Sequence, residues 1–470
     1  MGAGVQLAPV PHTDLSRIPD LVAGLRQAFD GGRTRPIAWR REQLARLRAL
    51  LTENTDRLLA ALQADLGKPE LEARTTDIAV VVQELDHVAA NLERWARPEP
   101  AATPLTQKPG SSRVLREPLG VVLVISPWNY PVQLLLSPLV GSIAAGNTTL
   151  LKPSELTETV SSALAELIPQ YLDPTCTTLV EGGVEETQAL LAERFDHIFY
   201  TGNGAVARIV MRAAAEHLTP VTLELGGKSP CIVAKDANLD VAARRIAWGK
   251  WLNAGQTCVA PDYVLVEEGV EEAFLEKLRA TIREFYGDDP QKTDDLGRIV
   301  NGRHHARLLG LLEGQPIWHG GRSDAAQRYI EPTIVRNPRP ESKLMQEEIF
   351  GPILPVLTVP SIDAAIDFVN KREKPLALYV FSSSESTSEA VLTRTSSGGA
   401  CVNATIWQVA NPHLPFGGVG PSGMGSYHGR GTFETLSHHK AVVSKTTWVD
   451  PKIAYPPYTS FKKAIVRKVM

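Results

Sequence analysis

Apolar residues recur at helical spacing through the first hundred positions. Leu44, Leu47 and Leu51 share one helical face, Leu58 and Leu62 continue it, and residues 14–97 predict a run of helices. A second amphipathic run covers about Thr75 to Trp95. Pro98, Pro100 and Pro104 then end helical structure and predict a linker. Ser112 to Glu117 reads as a short strand that leads into an unbroken apolar one, Val121 to Ile125. From there strand and helix alternate. Strands are expected at Thr148–Leu151, Cys176–Val180, His197–Tyr200 and Val221–Glu224, with helices at Thr157–Leu172, about Glu185–Glu193 and about Ala205–His217. Short apolar strands in this rhythm predict a parallel sheet covered on both faces, with ligands at the carboxyl ends of its strands.

A second α/β unit is expected from Ser229 to about Thr432, its strands including Cys231–Val233, Tyr263–Val266 and Ala377–Phe381. The remainder carries Ala441-Val442-Val443 and a proline-containing tail, Tyr455-Pro456-Pro457-Tyr458. One stretch imitates a membrane span, because Pro118 to Leu151 holds no charged residue. Pro127, Asn129, Pro131, Pro138 and Asn147 interrupt it, and in lipid their backbone breaks would go unsatisfied. It therefore predicts buried strand, loop and helix, and no integral membrane segment.

Composition narrows the class. A chain of 470 residues is too long for one core, so two or three domains are expected. Hydrophobic content of 43% and charged content of 21% describe an ordinary globular protein. A net charge of −3 gives no electrostatic reason to expect nucleic acid or an acidic membrane as partner. Cys176, Cys231, Cys258 and Cys401 are scattered and form no Cys-x-x-Cys pair, so no disulfide framework and no metal site is expected, and a cytoplasmic setting fits best. Met1 to Asp20 has no apolar core followed by a small-residue cleavage site, so no secretory leader is expected.

Seven short motifs carry candidate chemistry. Asn253-Ala254-Gly255-Gln256-Thr257-Cys258 sets a cysteine in a polar turn, unlike Cys231 among its apolar neighbours. Such a donor-rich setting is what a nucleophilic thiolate needs, although on spacing alone an inert thiol is slightly favoured. Gly202-Asn203-Gly204-Ala205-Val206-Ala207 follows a strand and opens a helix, where glycines let backbone approach a pyrophosphate. That rule also predicts an acidic ribose ligand about twenty residues on, where Glu224 stands. Glu224, at a strand end beside Gly226-Gly227, is equally placed as a general base or as a salt-bridge partner of Lys228. In Ser126-Pro127-Trp128-Asn129-Tyr130-Pro131, Asn129 offers an amide fixed between prolines, as an oxyanion hole uses, or a local Asx-turn. Lys152 and Glu155, three apart after a strand, either hydrogen-bond two ribose hydroxyls or form a surface pair. Glu347-Glu348-Ile349-Phe350-Gly351-Pro352 and Pro415-Phe416-Gly417-Gly418 each read alone as loops.

Taken together and in this order, these motifs resemble the aldehyde dehydrogenase superfamily over about residues 15 to 445. Gly-Gln-Thr-Cys, Leu-Glu-Leu-Gly-Gly-Lys, Pro-Trp-Asn-Tyr-Pro and Glu-Ile-Phe-Gly-Pro carry the resemblance. The continuation Cys258-Val259-Ala260-Pro261-Asp262-Tyr263 and the ending Phe433-Glu434-Thr435-Leu436-Ser437-His438 are most similar to the class 3 branch. The resemblance implies oxidation of aldehydes to carboxylic acids with NAD, NADP use being left open. Under it Cys258 attacks the aldehyde carbon, while Asn129 and the Cys258 N–H hold the oxyanion. Hydride passes to the nicotinamide, and Glu224 activates the water that hydrolyses the thioester. Losing one oxyanion donor would cost roughly 3 kcal/mol. Lys152 and Glu155 would take the adenosine ribose, which frees Glu224 for catalysis, and a glutamate there repels a 2′-phosphate. Gly202, Asn203, Gly204 and Val206 would lie by the pyrophosphate, Glu348 on the nicotinamide ribose, and Phe350 beside the nicotinamide. Pro127, Trp128, Leu225 and Gly226 complete the implied cofactor contacts. Tyr130, Trp248, Ile406 and Trp407 match or adjoin the aldehyde tunnel and point to an aromatic or medium-to-long aliphatic aldehyde, although four such residues are equally at home in a core.

The same resemblance implies an α/β fold with a Rossmann-like cofactor domain (1–98 and 120–224) and an α/β catalytic domain (225–432). A small β oligomerisation arm (99–119 with 433–447) would build a homodimer, followed by a tail (448–470). Two other chemistries share the cysteine. A CoA-acylating dehydrogenase would pass the thioester to CoA, whereas Glu224 favours water. A thiol hydrolase needs a histidine partner, and the nearest along the chain are His217 and His304.

Overall fold

The computed structural model describes residues 12–469; Met1 to Pro11, half of the stretch read for a leader, and Met470 lie outside the described residues. Two α/β sheets dominate. The first has six strands in the order Gly423–Met424, Val221–Glu224, His197–Thr201, Val121–Ile125, Thr148–Lys152, Thr177–Leu179. The last five run parallel. Every residue of the strands at 121–125, 148–152 and 197–201 is buried, as their unbroken apolar runs require of a sheet covered on both sides. Alternation divides them between two cores. Val121, Leu123 and Ile125 pack with Ile18, Val22 and Leu25 of the first long helix. Val122 and Val124 face Leu44, Leu47, Leu135 and Leu139 on the other side.

The uncharged stretch that imitates a membrane span is the middle of this unit. Its helix, Gln133–Ala145, is buried at all 13 positions between sheet and outer helices. Among the described residues no helix is long and apolar enough to cross a membrane.

The second sheet has seven strands in the order Ile317–His319, Thr333–Arg336, Ile353–Val359, Tyr263–Glu267, Pro230–Val233, Ala377–Phe381, Gly399–Val402. All neighbours are parallel except the first pair. A separate antiparallel sheet joins Glu99–Ala101, Gly110–Pro118 and Ser437–Lys445, with Ser437 opposite Pro118 and Lys445 opposite Gly110.

Three features depart from the sequence pattern. Gly423–Met424 lies within the stretch read as the second unit, yet it pairs antiparallel with Leu223 and Glu224 and so closes the edge of the first sheet. The run from Thr75 to Trp95 begins with a π-helical turn, Arg74–Ala79, before the α-helix Val80–Ala96. The tail read as proline-containing ends in a helix, Ser460–Val469, because its last proline is Pro457 and Phe461 and Ile465 then recur at helical spacing.

Candidate active site

Four neighbouring parallel strands of the first sheet end in polar side chains. Lys152 and Glu224 close their strands, Thr201 closes the one between, and Ser126 follows Ile125. The register aligns these ends: Ile125 lies opposite Lys152 and Tyr200, and Thr201 opposite Glu224. Glu224 is buried, and burial pushes its carboxyl well above the usual range. Among the described residues neither of its oxygens has a hydrogen-bond partner, and Ser126 Oγ, Thr201 Oγ1 and Asn129 Oδ1 are likewise unpartnered. Buried polar groups are nearly always satisfied, so this row of open donors and acceptors at the strand ends fits a polar ligand laid across them. Lys228 pairs with Asp262, and it also donates to the carbonyls of Leu344 (2.9 Å) and Glu347 (2.8 Å), which leaves Glu224 without the salt bridge its sequence neighbourhood allowed.

The cysteine sits on a strained turn. Asn253 and Ala254 both have φ of 52°, and Gly255 follows at 75°, three consecutive left-handed residues. A Cβ on Gly255 would lie 2.2 Å from the carbonyl oxygen of Gly351, so the Gly-Gln-Thr-Cys turn and the Glu-Ile-Phe-Gly-Pro loop meet backbone to backbone. Gln256 is wholly occupied in bracing the turn: its Nε2 donates to the carbonyls of Asn253 (3.0 Å) and Arg298 (2.9 Å), and its Oε1 accepts from Val300 N (2.9 Å). Asn129 is bound to the same turn. Its Nδ2 donates to Gln256 O (3.0 Å), and its own carbonyl accepts from Asn253 Nδ2 (2.7 Å). An amide nitrogen carries two hydrogens, so one remains for a substrate oxygen. Tyr130, next along, shares a 2.6 Å hydrogen bond with Thr257.

Cys258 is a free thiol, partly exposed to solvent. Burial pushes its thiol up to about 12, and the carboxylates of Glu348 and Glu224 add to the rise, while the N–H groups of Cys258 and Val259 pull the other way. Those two acids are the charged groups that bear most on it, and neither is an imidazole. His304, the nearest downstream histidine, instead packs against Trp128 with ring centroids 5.2 Å apart and planes tilted by 49°.

Glu348 reaches this centre from the second unit. A Cβ on Gly226 would lie 2.3 Å from its carboxylate oxygens, and burial pushes the carboxyl up to about 8 against the Gly227 N–H. Phe350 follows with φ of 49°, and its ring meets Trp128 edge-on at 5.3 Å. Lys152 Nζ is buried, donates to Pro153 O (2.7 Å) and lies 4.0 Å from Glu155. The glycine turn differs from its pattern: Asn203 caps its own helix, its side chain accepting from the N–H groups of Ala205 and Val206 at 3.0 Å each, the amides such a motif offers to phosphate. Gly202 still has a reason, since a Cβ there would collide with the Tyr200 hydroxyl.

Trp248 and Trp407 stack at 5.9 Å with 26° between their planes, and Ile406, next to Trp407 along the chain, is half-buried with φ of 67°. Several contributors had no motif to reveal them. Glu72 accepts from Asn253 N (2.8 Å), and Lys68, paired with Asp77, lies 3.8 Å over the Tyr130 ring. Both come from a helical stretch whose pattern looks like ordinary packing, so only the fold exposes them. Asp262, by contrast, stood in the quoted continuation of the cysteine turn.

Comparison with known proteins agrees with this geometry. Residues 3–442 match the model of the Aldehyde dehydrogenase family. Aldehyde dehydrogenase, dimeric NADP-preferring, of Canis lupus familiaris is 50% identical over 446 residues, 94% of this chain and 98% of that protein. Aldehyde dehydrogenase family 3 member A2 of Mus musculus is 51% identical over 443 residues, covering 94% of this chain and 92% of its own. The substrate-bound state of Staphylococcus aureus AldH superposes with a TM-score of 0.94 at 45% identity, over 96% of this chain and 99% of that one. The chain belongs to the aldehyde dehydrogenase family, on its class 3 side, and oxidises aldehydes with NAD(P).

Proposed function

We propose that Cys258 is the nucleophile, Asn129 an oxyanion donor and Glu224 the base that activates water. The observation that carries this reading is the double hold of Asn129 on the cysteine turn, one bond in each direction, which ties its amide to the turn that carries the thiol and leaves one N–H free. Cys258 adds to the aldehyde carbon and its proton leaves, giving a thiohemiacetal whose oxygen faces Asn129 Nδ2 and the Cys258 N–H. Bound NAD or NADP supplies the hydride acceptor that turns this adduct into a thioester. Glu224 then takes a proton from water, which attacks the thioester carbon and releases the acid and the thiol. Once ionised, a carboxylate whose pKa is raised by burial is the stronger base for that step.

The unpartnered strand ends fit the cofactor, and the residues that would hold it are Lys152 and Glu155 at the adenosine ribose and Glu348 at the nicotinamide ribose. Phe350, Pro127, Trp128, Leu225 and Gly226 would form the groove. Gly202, Asn203, Gly204 and Val206 would border the pyrophosphate through the turn, with Asn203 retaining its cap. Tyr130, Trp248, Ile406 and Trp407 would line an aldehyde tunnel suited to aromatic or medium-to-long aliphatic chains, the stacked indoles at its mouth being the support for that class. The division into cofactor part, catalytic part and arm is supported by the separate six-, seven- and three-stranded sheets, although Gly423–Met424 pairs with the first. The arm would pair two copies into a homodimer. The four free thiols accord with a reducing cytoplasm.

The test is NAD(P)H formation over an aldehyde panel for wild type and Cys258→Ala. Product acid with the wild type and none with the variant is the expected result. Turnover surviving in Cys258→Ala would remove the nucleophile assignment, and product appearing only with CoA present would move the second step from water to thiol.

A further inference from the structure

The tunnel loop is tied to the nucleophile by a hydrogen-bonded chain that the reaction itself does not require. Tyr379, fully buried on the strand Ala377–Phe381, donates its hydroxyl to the carbonyl of Val259 at 2.5 Å. Gln408 Nε2 donates to that same hydroxyl at 3.3 Å, and Gln408 Oε1 accepts from Cys401 Sγ at 2.7 Å. The direction of every bond is forced. A carbonyl only accepts, so the tyrosine must donate to it; the tyrosine oxygen then accepts from an amide N–H, and the remaining amide oxygen needs the thiol proton. One end of this chain is Val259, whose N–H also bears on the Cys258 sulfur. The other end lies in the segment that carries Ile406 and Trp407.

That segment needs holding. Ile406 is β-branched and has φ of 67°, a conformation that persists only where neighbours over-determine it. Three restraints act there. Thr405 Oγ1 donates to Arg245 O at 2.7 Å, Trp407 stacks on Trp248, and Gln408 anchors inward to Tyr379. The first two join the loop to the helix Leu239–Trp251, whereas the third, together with the Ile406 N–H that also bears on the Tyr379 hydroxyl, joins it through Tyr379 to the residue after the cysteine.

We propose that Gln408 is a specificity-determining positioning residue, whose carboxamide sets the strained Ile406–Trp407 wall at a fixed distance from Cys258 and so selects aldehydes long enough to lie along that wall. The inference rests on the aldehyde-oxidising reading of the site. A short aldehyde reaches the thiol without touching the wall and is indifferent to it, whereas a long chain loses its contacts when the wall relaxes.

Steady-state kinetics with propanal and octanal test it. In Gln408→Leu, kcat/KM for octanal should fall by about tenfold, mainly through KM, while propanal stays within about twofold. Gln408→Glu cannot donate to Tyr379 and should reproduce the loss. Cys401→Ser keeps a donor for the amide oxygen and should keep the wild-type octanal-to-propanal ratio. Tyr379→Phe frees the Val259 carbonyl and removes the hydroxyl that holds Gln408, so it should lower kcat for both substrates and also lower the octanal-to-propanal ratio of kcat/KM as Gln408→Leu does. A purely structural role would change propanal and octanal alike. An unchanged ratio in Gln408→Leu, or an equal loss on both aldehydes, overturns the proposal while leaving the dehydrogenase reading intact. Wild type producing no NAD(P)H from either aldehyde would instead remove that reading, and the proposal with it.

Discussion

Cys258 stands in surroundings that favour the thiol over the thiolate. Burial raises it, and the carboxyls of Glu348 and Glu224 raise it further when ionised. Glu348 itself is pushed up to about 8, so its charge is largely absent at neutral pH. The two titrations are therefore coupled, with a definite sign. Below pH 8 Glu348 is mostly protonated and exerts little repulsion; above it the new carboxylate opposes thiolate formation. Alkylation of the free enzyme by iodoacetamide should run at similar rates in wild type and Glu348→Gln at pH 7. It should separate above pH 8, with the variant roughly severalfold faster as the wild-type profile flattens. Parallel profiles across pH 7 to 10 would show that Glu348 does not act on the sulfur. Cys258 and Asn129 stood out in the sequence as candidates because their motifs are local, each beside a bland alternative that only the resemblance outweighed. Glu348 was not legible from residue chemistry, since its closeness to Gly226 depends on two distant segments meeting and only the resemblance pointed to it.

The turn that carries the cysteine shows what an element contributes beyond its residues. Three successive left-handed positions would be disfavoured in an isolated peptide, Ala254 alone costing on the order of 1 kcal/mol. Gln256, Glu72 and Asn129 hold the turn from three directions. Gly255→Ala would add a Cβ against Gly351 O where φ is already unfavourable. It should cost about 2–4 kcal/mol in denaturant unfolding and reduce turnover more than about tenfold, because the oxyanion donors shift with the turn. Wild-type stability in that variant would mean the backbone contact is slack. Elements were legible where burial is symmetric: Val121–Ile125 and Ala377–Phe381 are apolar at every position and buried throughout. Other strands were hidden for physical reasons. Ile353–Val359 lies inside its sheet but contains Pro355, which argues against a strand in any pattern reading. Gly399–Val402 is an edge strand, half-exposed, and has no apolar run to show. Gly423–Met424 is two residues long and exists only because Leu223 and Glu224 present a free edge.

At the scale of the molecule, the proposed active centre draws on both α/β sheets, the cysteine turn and Glu348 coming from the second and Glu224 from the first. Among the described residues the antiparallel sheet supplies none of the proposed site residues. Its outer strand, Ser437–Lys445, is nine residues long and pairs on one side only, with Gly110–Pro118. Long open edges are a liability in a monomer and are usually shortened, bulged or covered. Here the two ends of the strand carry His438, His439, Lys440 and Lys445, while its middle, Ala441-Val442-Val443, is apolar, and Val443 is 54% exposed. An apolar centre flanked by charge is what a strand needs to pair in one register with a second copy and to resist open-ended stacking. A lysine at Val443 would place a charge at the centre of that pairing while leaving its bonds to Gly110–Pro118 in place. Sedimentation equilibrium should then show the proposed wild-type dimer weakened by at least about tenfold in Val443→Lys, with thermal unfolding of the subunit little changed. An undiminished dimer in the variant would place the subunit interface elsewhere on the surface and leave the arm without a purpose in assembly.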